Sequence, residues 1–206
     1  MSEEEKRIDQ ILEVAKKEFS KKGFQGASLR NIAKEAGVTT GSLYWHFKNK
    51  EELFEAVTKE YYDYIMGMYK RVMDDFFEMS LEEQKEKMSV HGEVCIMDMV
   101  EYMYAHKEIF KLLMDGAAGT EYDNLIHDMV KQELYAPHRF MEHMKQLGIQ
   151  IRTIRPELEH ILITGMITGM FELIMHDVPL EVARECVKEL HDFHTAGWRM
   201  LLNISD

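Results

Sequence analysis

Proline is scarce in this 206-residue chain, with only Pro137, Pro156 and Pro179. Long stretches also lack the apolar–polar alternation of strands, so an all-α protein is predicted. Cysteine occurs twice, at Cys95 and Cys186, without redox or metal-ligand spacing. Both read as reduced core thiols. The longest strongly apolar run, Ile161 to Phe171, has 11 residues; as helix it reaches about 16 Å, short of a bilayer core. The opening MSEEEKR has no apolar signal core, so the cytoplasm is the expected compartment, with no membrane partner. A Gly-rich phosphate loop, a nucleophile elbow and an HExxH zinc motif are also missing, as are internal repeats and low-complexity tracts. Neither an enzymatic activity nor a cofactor is expected.

Positive charge is in deficit, with 25 Lys and Arg against 37 Asp and Glu and a net charge of −12. That balance opposes contact with phosphate. Its distribution reverses the inference. Residues 6–50 hold ten Lys and Arg against Asp9, Glu13, Glu18 and Glu35, whereas residues 51–206 hold 15 against 30 acids. A basic head on an acidic body suits a protein that meets a polyanion with one end. Surplus lysine on a solvated helix face is the plainer alternative.

Ile8, Ile11, Leu12, Ala15 and Phe19 recur at helical spacing and predict a first helix closed at Gly23, with Phe24 packing back. Ser28 is placed to N-cap a second helix with apolar face Leu29, Ile32, Ala33 and Ala36. Gly37 follows where a left-handed turn residue is expected. Thr39 is the best N-cap for a third helix, Thr40 to Phe47, whose Leu43 and Phe47 face inward. A long fourth helix starts at Glu51, and Leu53, Phe54, Val57, Tyr61, Tyr64, Ile65 and Met68 keep its period. Further helices are predicted near 81–104, 107–115, 121–146, 157–176 and 180–203. Pro156 and Pro179 suit first-turn positions, and Pro137 should kink or divide its segment.

Two short helices joined by a tight turn form a helix-turn-helix, which sets its second helix in the DNA major groove. The segment IAKEAGVTTGSLYWHFKNKEELF resembles the signature of TetR-type (tetracycline-repressor-like) transcriptional regulators, with motif-level similarity over about residues 8–64. The resemblance implies an N-terminal three-helix DNA-binding domain, here 1–50. It also implies a C-terminal helical ligand-binding and dimerisation domain, here 51–206. The implied function is a homodimeric repressor on a palindromic double-stranded operator, released by a small, largely apolar effector. A constitutive DNA-binding regulator without ligand is the first alternative, and a helical metal-dependent enzyme is the second.

The DNA-binding candidates are Ser28, Thr39, Thr40, Gly41, Ser42, Tyr44, Trp45, His46, Lys48 and Lys50. Thr39 to Ser42 form a helix N-terminal turn, whose free N–H groups and positive dipole end suit phosphate. Gly41 permits close approach to bases, or is simply a poor helix former tolerated near a start. Tyr44, His46 and Lys50 resemble the family's phosphate-holding positions, and Lys48 is either a further such contact or a solvated lysine. Thr40 stands where many relatives carry Lys or Arg, so bidentate guanine recognition from it is excluded. Trp45 also departs from the usual pattern, and either wedges against DNA or covers the first helix.

In the body, Gly165 and Gly169 form a small-residue strip suited to close helix approach. With Leu190, Phe193 and Trp198 they are the dimer-interface candidates. The pocket candidates are Met66, Tyr69, Tyr102, Phe110, Met114, Phe140, Met144, Met166 and Met170, since methionine adapts to irregular cavities; ordinary core packing is their alternative role. Glu157 with His160, Glu172 with His176, and His191 with His194 share helix faces. None supplies a complete metal-ligand set.

Overall fold

The computed structural model describes residues 2–134 and 152–203. All regular structure among them is helical. The chain forms two compact units, Met1–Tyr64 with His106–Leu125, and Ile65–Ala105 with Ile126–Asp206. The first unit therefore extends past the expected 1–50 head and takes in a segment from mid-chain.

Three helices and a fourth's first half build the first unit: α1 (Glu3–Gly26), α2 (Leu29–Glu35), α3 (Thr40–His46) and the start of α4 (Lys50–Glu78). At the start of α1, Ser2 and Glu5 exchange hydrogen bonds in a capping box, which satisfies two orphan N–H groups. Gly23, at φ +66°, breaks its helical path where the sequence puts a stop, and Phe24 turns back into the core. Ile11, Ala15, Phe19, Ile32, Leu43, Leu53 and Phe54 are fully buried. Phe54 meets Phe19 edge-on at 5.0 Å between ring centres and Phe24 at 5.3 Å. Each such side chain stabilises the unit by about 1.5–3 kcal/mol through burial alone.

From the middle of the chain, α6 (Lys107–Lys111) runs into a π-helical turn, Leu112–Gly116, instead of the single predicted helix. That turn lies against the end of α1, because neither partner has a side chain at the contact. A Cβ built on Gly116 would stand 3.3 Å from Gly23 Cα and 2.6 Å from Leu112 Cδ1. Gln25 Nε2 also donates to Ala118 O at 2.9 Å, and Tyr122 packs on Tyr62 at 5.2 Å.

The second unit consists of the rest of α4, then α5 (Leu81–Ala105), α7 (Leu125–Glu133), α8 (Pro156–Met175) and α9 (Leu180–Leu202). Val100 and Met103 of α5, Ile163, Ile167, Phe171 and Ile174 of α8, and Ala183 and Val187 of α9 are buried. Glu101 pairs with Arg184, and Lys188 Nζ donates to Glu93 at 2.8 Å, joining α5 to α9. Tyr104 Oη donates toward Val178 O at 2.8 Å, pinning the α8–α9 turn. Pro156 opens α8 as expected, but Pro179 is the N-cap of α9 rather than a first-turn residue.

Of the predicted 121–146 helix, residues 121–124 are turn and α7 begins only at Leu125; Pro137, Phe140, Met144 and Gly148 lie outside the described residues. The apolar run is also longer in space than in composition. Helix α8 has 20 residues, long and apolar enough by those measures to cross a membrane. It nevertheless carries Glu157, Glu159 and Glu172, buries Glu159, and packs against α5 and α9. Those are features of a core helix.

Candidate nucleic-acid interface

The α2–turn–α3 geometry follows from its caps. Ser28 Oγ accepts from Asn31 N at 3.4 Å, and Thr39 Oγ1 accepts from Ser42 N at 3.0 Å. Between the helices Gly37 adopts φ +65°, a left-handed conformation that glycine takes without steric conflict. Leu43 and Phe47 turn α3 inward to the core, as the sequence predicts. Its opposite side is open: Trp45 is 74% exposed and Tyr44 50%. Thr39, Thr40 and Gly41 are exposed in the turn before them, and Ser42 is half-buried. Trp45 stands edge-on to His46 at 4.7 Å and faces solvent rather than covering α1.

The lysines divide. Lys48 is exposed. Lys50 is half-buried, and its ammonium donates to Gln25 O at 3.2 Å and Ala27 O at 3.3 Å, above the Phe24 ring at 4.6 Å. It thus closes the exit of α1, a structural role the sequence reading missed because the carbonyls lie 23 and 25 residues away.

Glu18 was also passed over. Its carboxylate accepts from Lys22 Nζ at 2.7 Å, Asn31 Nδ2 at 3.1 Å and Ser28 N at 3.3 Å, tying α1 to the start of α2. Burial by itself would raise its pKa. The hydrogen bonds from Lys22, Asn31 and Ser28 outweigh that and hold it below the ordinary carboxylate range.

Residues 11–57 match the family described as bacterial regulatory proteins, tetR family. The HTH-type transcriptional repressor KstR2 of Mycobacterium tuberculosis is 34% identical over 153 residues, covering 74% of this chain and 72% of the relative. The chain belongs to the TetR family. A regulator named AcrR from Shigella flexneri is 53% identical, but only over 47 residues, 23% of this chain and 22% of that protein. Against KstR2 of Mycolicibacterium smegmatis the match is 38% over 68 residues, 33% of each chain. A TetR-like regulator from Rhodococcus sp. RHA1 shares the fold with a TM-score of 0.61 at 17% identity, covering 93% of this chain and 96% of that one. As a TetR-family protein the chain is an all-α DNA-binding transcriptional regulator.

The remaining candidates scatter over this TetR-family scaffold. Tyr69, Met166 and Met170 line one apolar cavity in the second unit, together with Cys95, Met99 and Glu133. Met66 does not line it; its carbonyl accepts from Nε2 of Gln132, a lining residue, at 3.2 Å. Tyr102 is half-buried on α5 and is not among the cavity's lining residues. Phe110 and Met114 belong to the first unit, Phe110 fully buried in its core, so they do not share that cavity.

Among the dimer candidates, Gly169 touches Leu190 within the chain: a Cβ there would be 3.3 Å from Leu190 Cδ2. Those two residues pack α8 on α9 rather than facing outward. Gly165 has open space beside it, Phe193 is 71% exposed, and Trp198 is half-buried. His176 Nε2 pairs with Glu172 at 2.9 Å on an exposed surface, and His191 is buried.

Proposed function

We propose that this protein is a homodimeric, ligand-responsive repressor acting in the cytoplasm on a palindromic DNA operator. The observation that carries the DNA-reading role is the open side of α3. Trp45 and Tyr44 project from it, the exposed turn Thr39 to Gly41 heads it, and Leu43 anchors the opposite side. Large aromatic side chains are left in water at a cost unless a partner covers them. Thr40 and Trp45 read base edges, whereas Tyr44, His46 and Lys48 hold phosphates, Lys50 adding its remaining donor.

Dimerisation is supported by unpartnered apolar strips on the last two helices. Leu158, Ile161 and Gly165 recur along α8, and Phe193, Gly197 and Met200 along α9, each at helical spacing; Ile161 is 63% exposed and Met200 74%. Two-fold pairing would set two recognition helices about 34 Å apart, one DNA turn.

Chain connectivity supports an effector response. The first unit joins the second at 64–65, 105–106 and 125–126. These junctions continue into α4, α5 and α7, all of which line the cavity. An occupant that moved those helices would change the spacing of the heads. A 100-fold loss of operator affinity needs only about 2.7 kcal/mol.

Selection of bound DNA from a random pool tests the reading. The expected product is a palindrome bound with strong salt dependence. Failure to shift any duplex at low salt, or recovery of a single asymmetric half-site by a monomer, would sink it.

A further inference from the structure

Helices α4, α5, α7 and α8 enclose a cavity of about 70 Å³ within the second unit. Its wall is largely methionine and isoleucine, with Met99, Met129, Met166 and Met170 the most adaptable members. Tyr69 and Glu133 are among the polar groups that interrupt it. Tyr69 Oη on α4 is shut off from solvent and has no hydrogen-bond partner among the described residues. Glu133, on α7, is half-buried with no ion pair among the described residues, and desolvation pushes its carboxyl up to about 7.

The other polar lining groups are engaged or inert. Gln132 Nε2 donates to Met66 O. The Cys95 thiol, pushed up to about 12 first by burial and then by Asp98, stays neutral with Sγ 3.9 Å from Met99 Sδ.

A buried phenol without a partner among the described residues and a half-buried, partly desolvated carboxyl each carry an unfavourable desolvation term, which a ligand can remove only by supplying complementary groups. A ligand carboxylate would set like charges together. A hydrocarbon would leave the phenol orphaned and desolvate the carboxyl further. An ammonium donates several hydrogen bonds and neutralises the acid, satisfying both at once.

We propose that this cavity is the effector site and that it selects small apolar molecules bearing one ammonium group, which donates to Glu133 and Tyr69. The inference rests on reading the chain as a ligand-responsive regulator. It adds the chemical class of the ligand. The cavity is about half the size of the ~150 Å³ engineered apolar cavity that takes up benzene. The methionines must therefore move aside for the ligand's tail, and that movement is what the neighbouring helices would feel.

Isothermal titration of the full chain without DNA, using n-hexylamine, hexan-1-ol and sodium hexanoate, compares three head groups on one tail. The amine should saturate a single site roughly tenfold more tightly than the alcohol, and hexanoate should show no saturable binding. Glu133→Gln should weaken the amine by roughly tenfold and leave the alcohol unchanged, and Tyr69→Phe should weaken the amine by about threefold. A merely structural Glu133 would not shift this head-group preference.

Equal affinity for amine and alcohol, preference for hexanoate, no saturable amine binding, or indifference to Glu133→Gln overturns the proposal. Should Glu133→Gln fail to fold, the order of the three probes on the unaltered protein decides it. DNA plays no part in this titration. A failure here therefore refutes the ligand class, whereas failure to shift DNA refutes the regulator reading.

Discussion

Lys50 and Lys48 sit two residues apart and carry the same charge, yet their surroundings give them different work. Lys50 holds two backbone carbonyls and an aromatic face. Lys50→Ala should lower the stability of the first unit by about 1–2 kcal/mol, seen as an earlier denaturant midpoint. Lys48→Ala should leave that midpoint unchanged while weakening DNA binding for every sequence and flattening its salt dependence. Glu18 contributes through ionisation. Its folded pKa lies below the unfolded one, so its stabilisation is complete above the ordinary carboxylate value of 4.5 and is lost as pH falls through the folded value. Glu18→Gln should therefore melt earlier than the parent at pH 7, and the two melting curves should converge in acid.

At the scale of elements, short helices depend on their ends. The seven-residue α3 has one side-chain cap, Thr39, so Thr39→Ala should destabilise the first unit by about 1 kcal/mol and weaken DNA binding with it. The π-helical turn depends on an absent side chain. Gly116→Ala would place a methyl 2.6 Å from Leu112 Cδ1 and 3.3 Å from Gly23 Cα. The expected loss is about 1–3 kcal/mol by thermal melting. Gly165→Ala, with nothing within 4 Å, is the control and should not destabilise the single chain.

These elements differ in how far the sequence announces them. The Ser28 and Thr39 caps, the Gly23 and Gly37 stops and the buried Leu43 were all legible, because each acts on residues within four positions. The π turn, the Lys50 brace and the Glu18 clamp were not. Their partners are distant in sequence, and nothing in a local period marks them.

For the whole molecule, the apolar strips on α8 and α9 predict association. Phe193→Glu with Met200→Glu puts charge on two exposed positions and should leave the fold intact, since both side chains are more than 70% in solvent. Sedimentation should show a monomer for the variant and a dimer for the parent, and operator affinity should fall steeply because two linked heads become one. Only part of this surface was readable in advance. The Gly165–Gly169 strip singled out this helix, but periodicity cannot say which side faces a neighbour in the same chain. Gly169 and Leu190 went inward and Gly165 and Phe193 outward.

By itself, the amino-acid order determined the all-helical class, the helix-turn-helix with its caps and inward face, and membership of a regulator family. Those depend on spacing within a few residues, where backbone geometry is nearly invariant. Tertiary structure alone decided which methionines meet at a cavity and that residues 106–125 pack into the DNA-reading unit. It also brought the unpartnered Tyr69 hydroxyl and the half-buried Glu133 carboxyl to the wall of one cavity. Such meetings depend on how whole helices stack, and stacking joins residues that no local pattern relates.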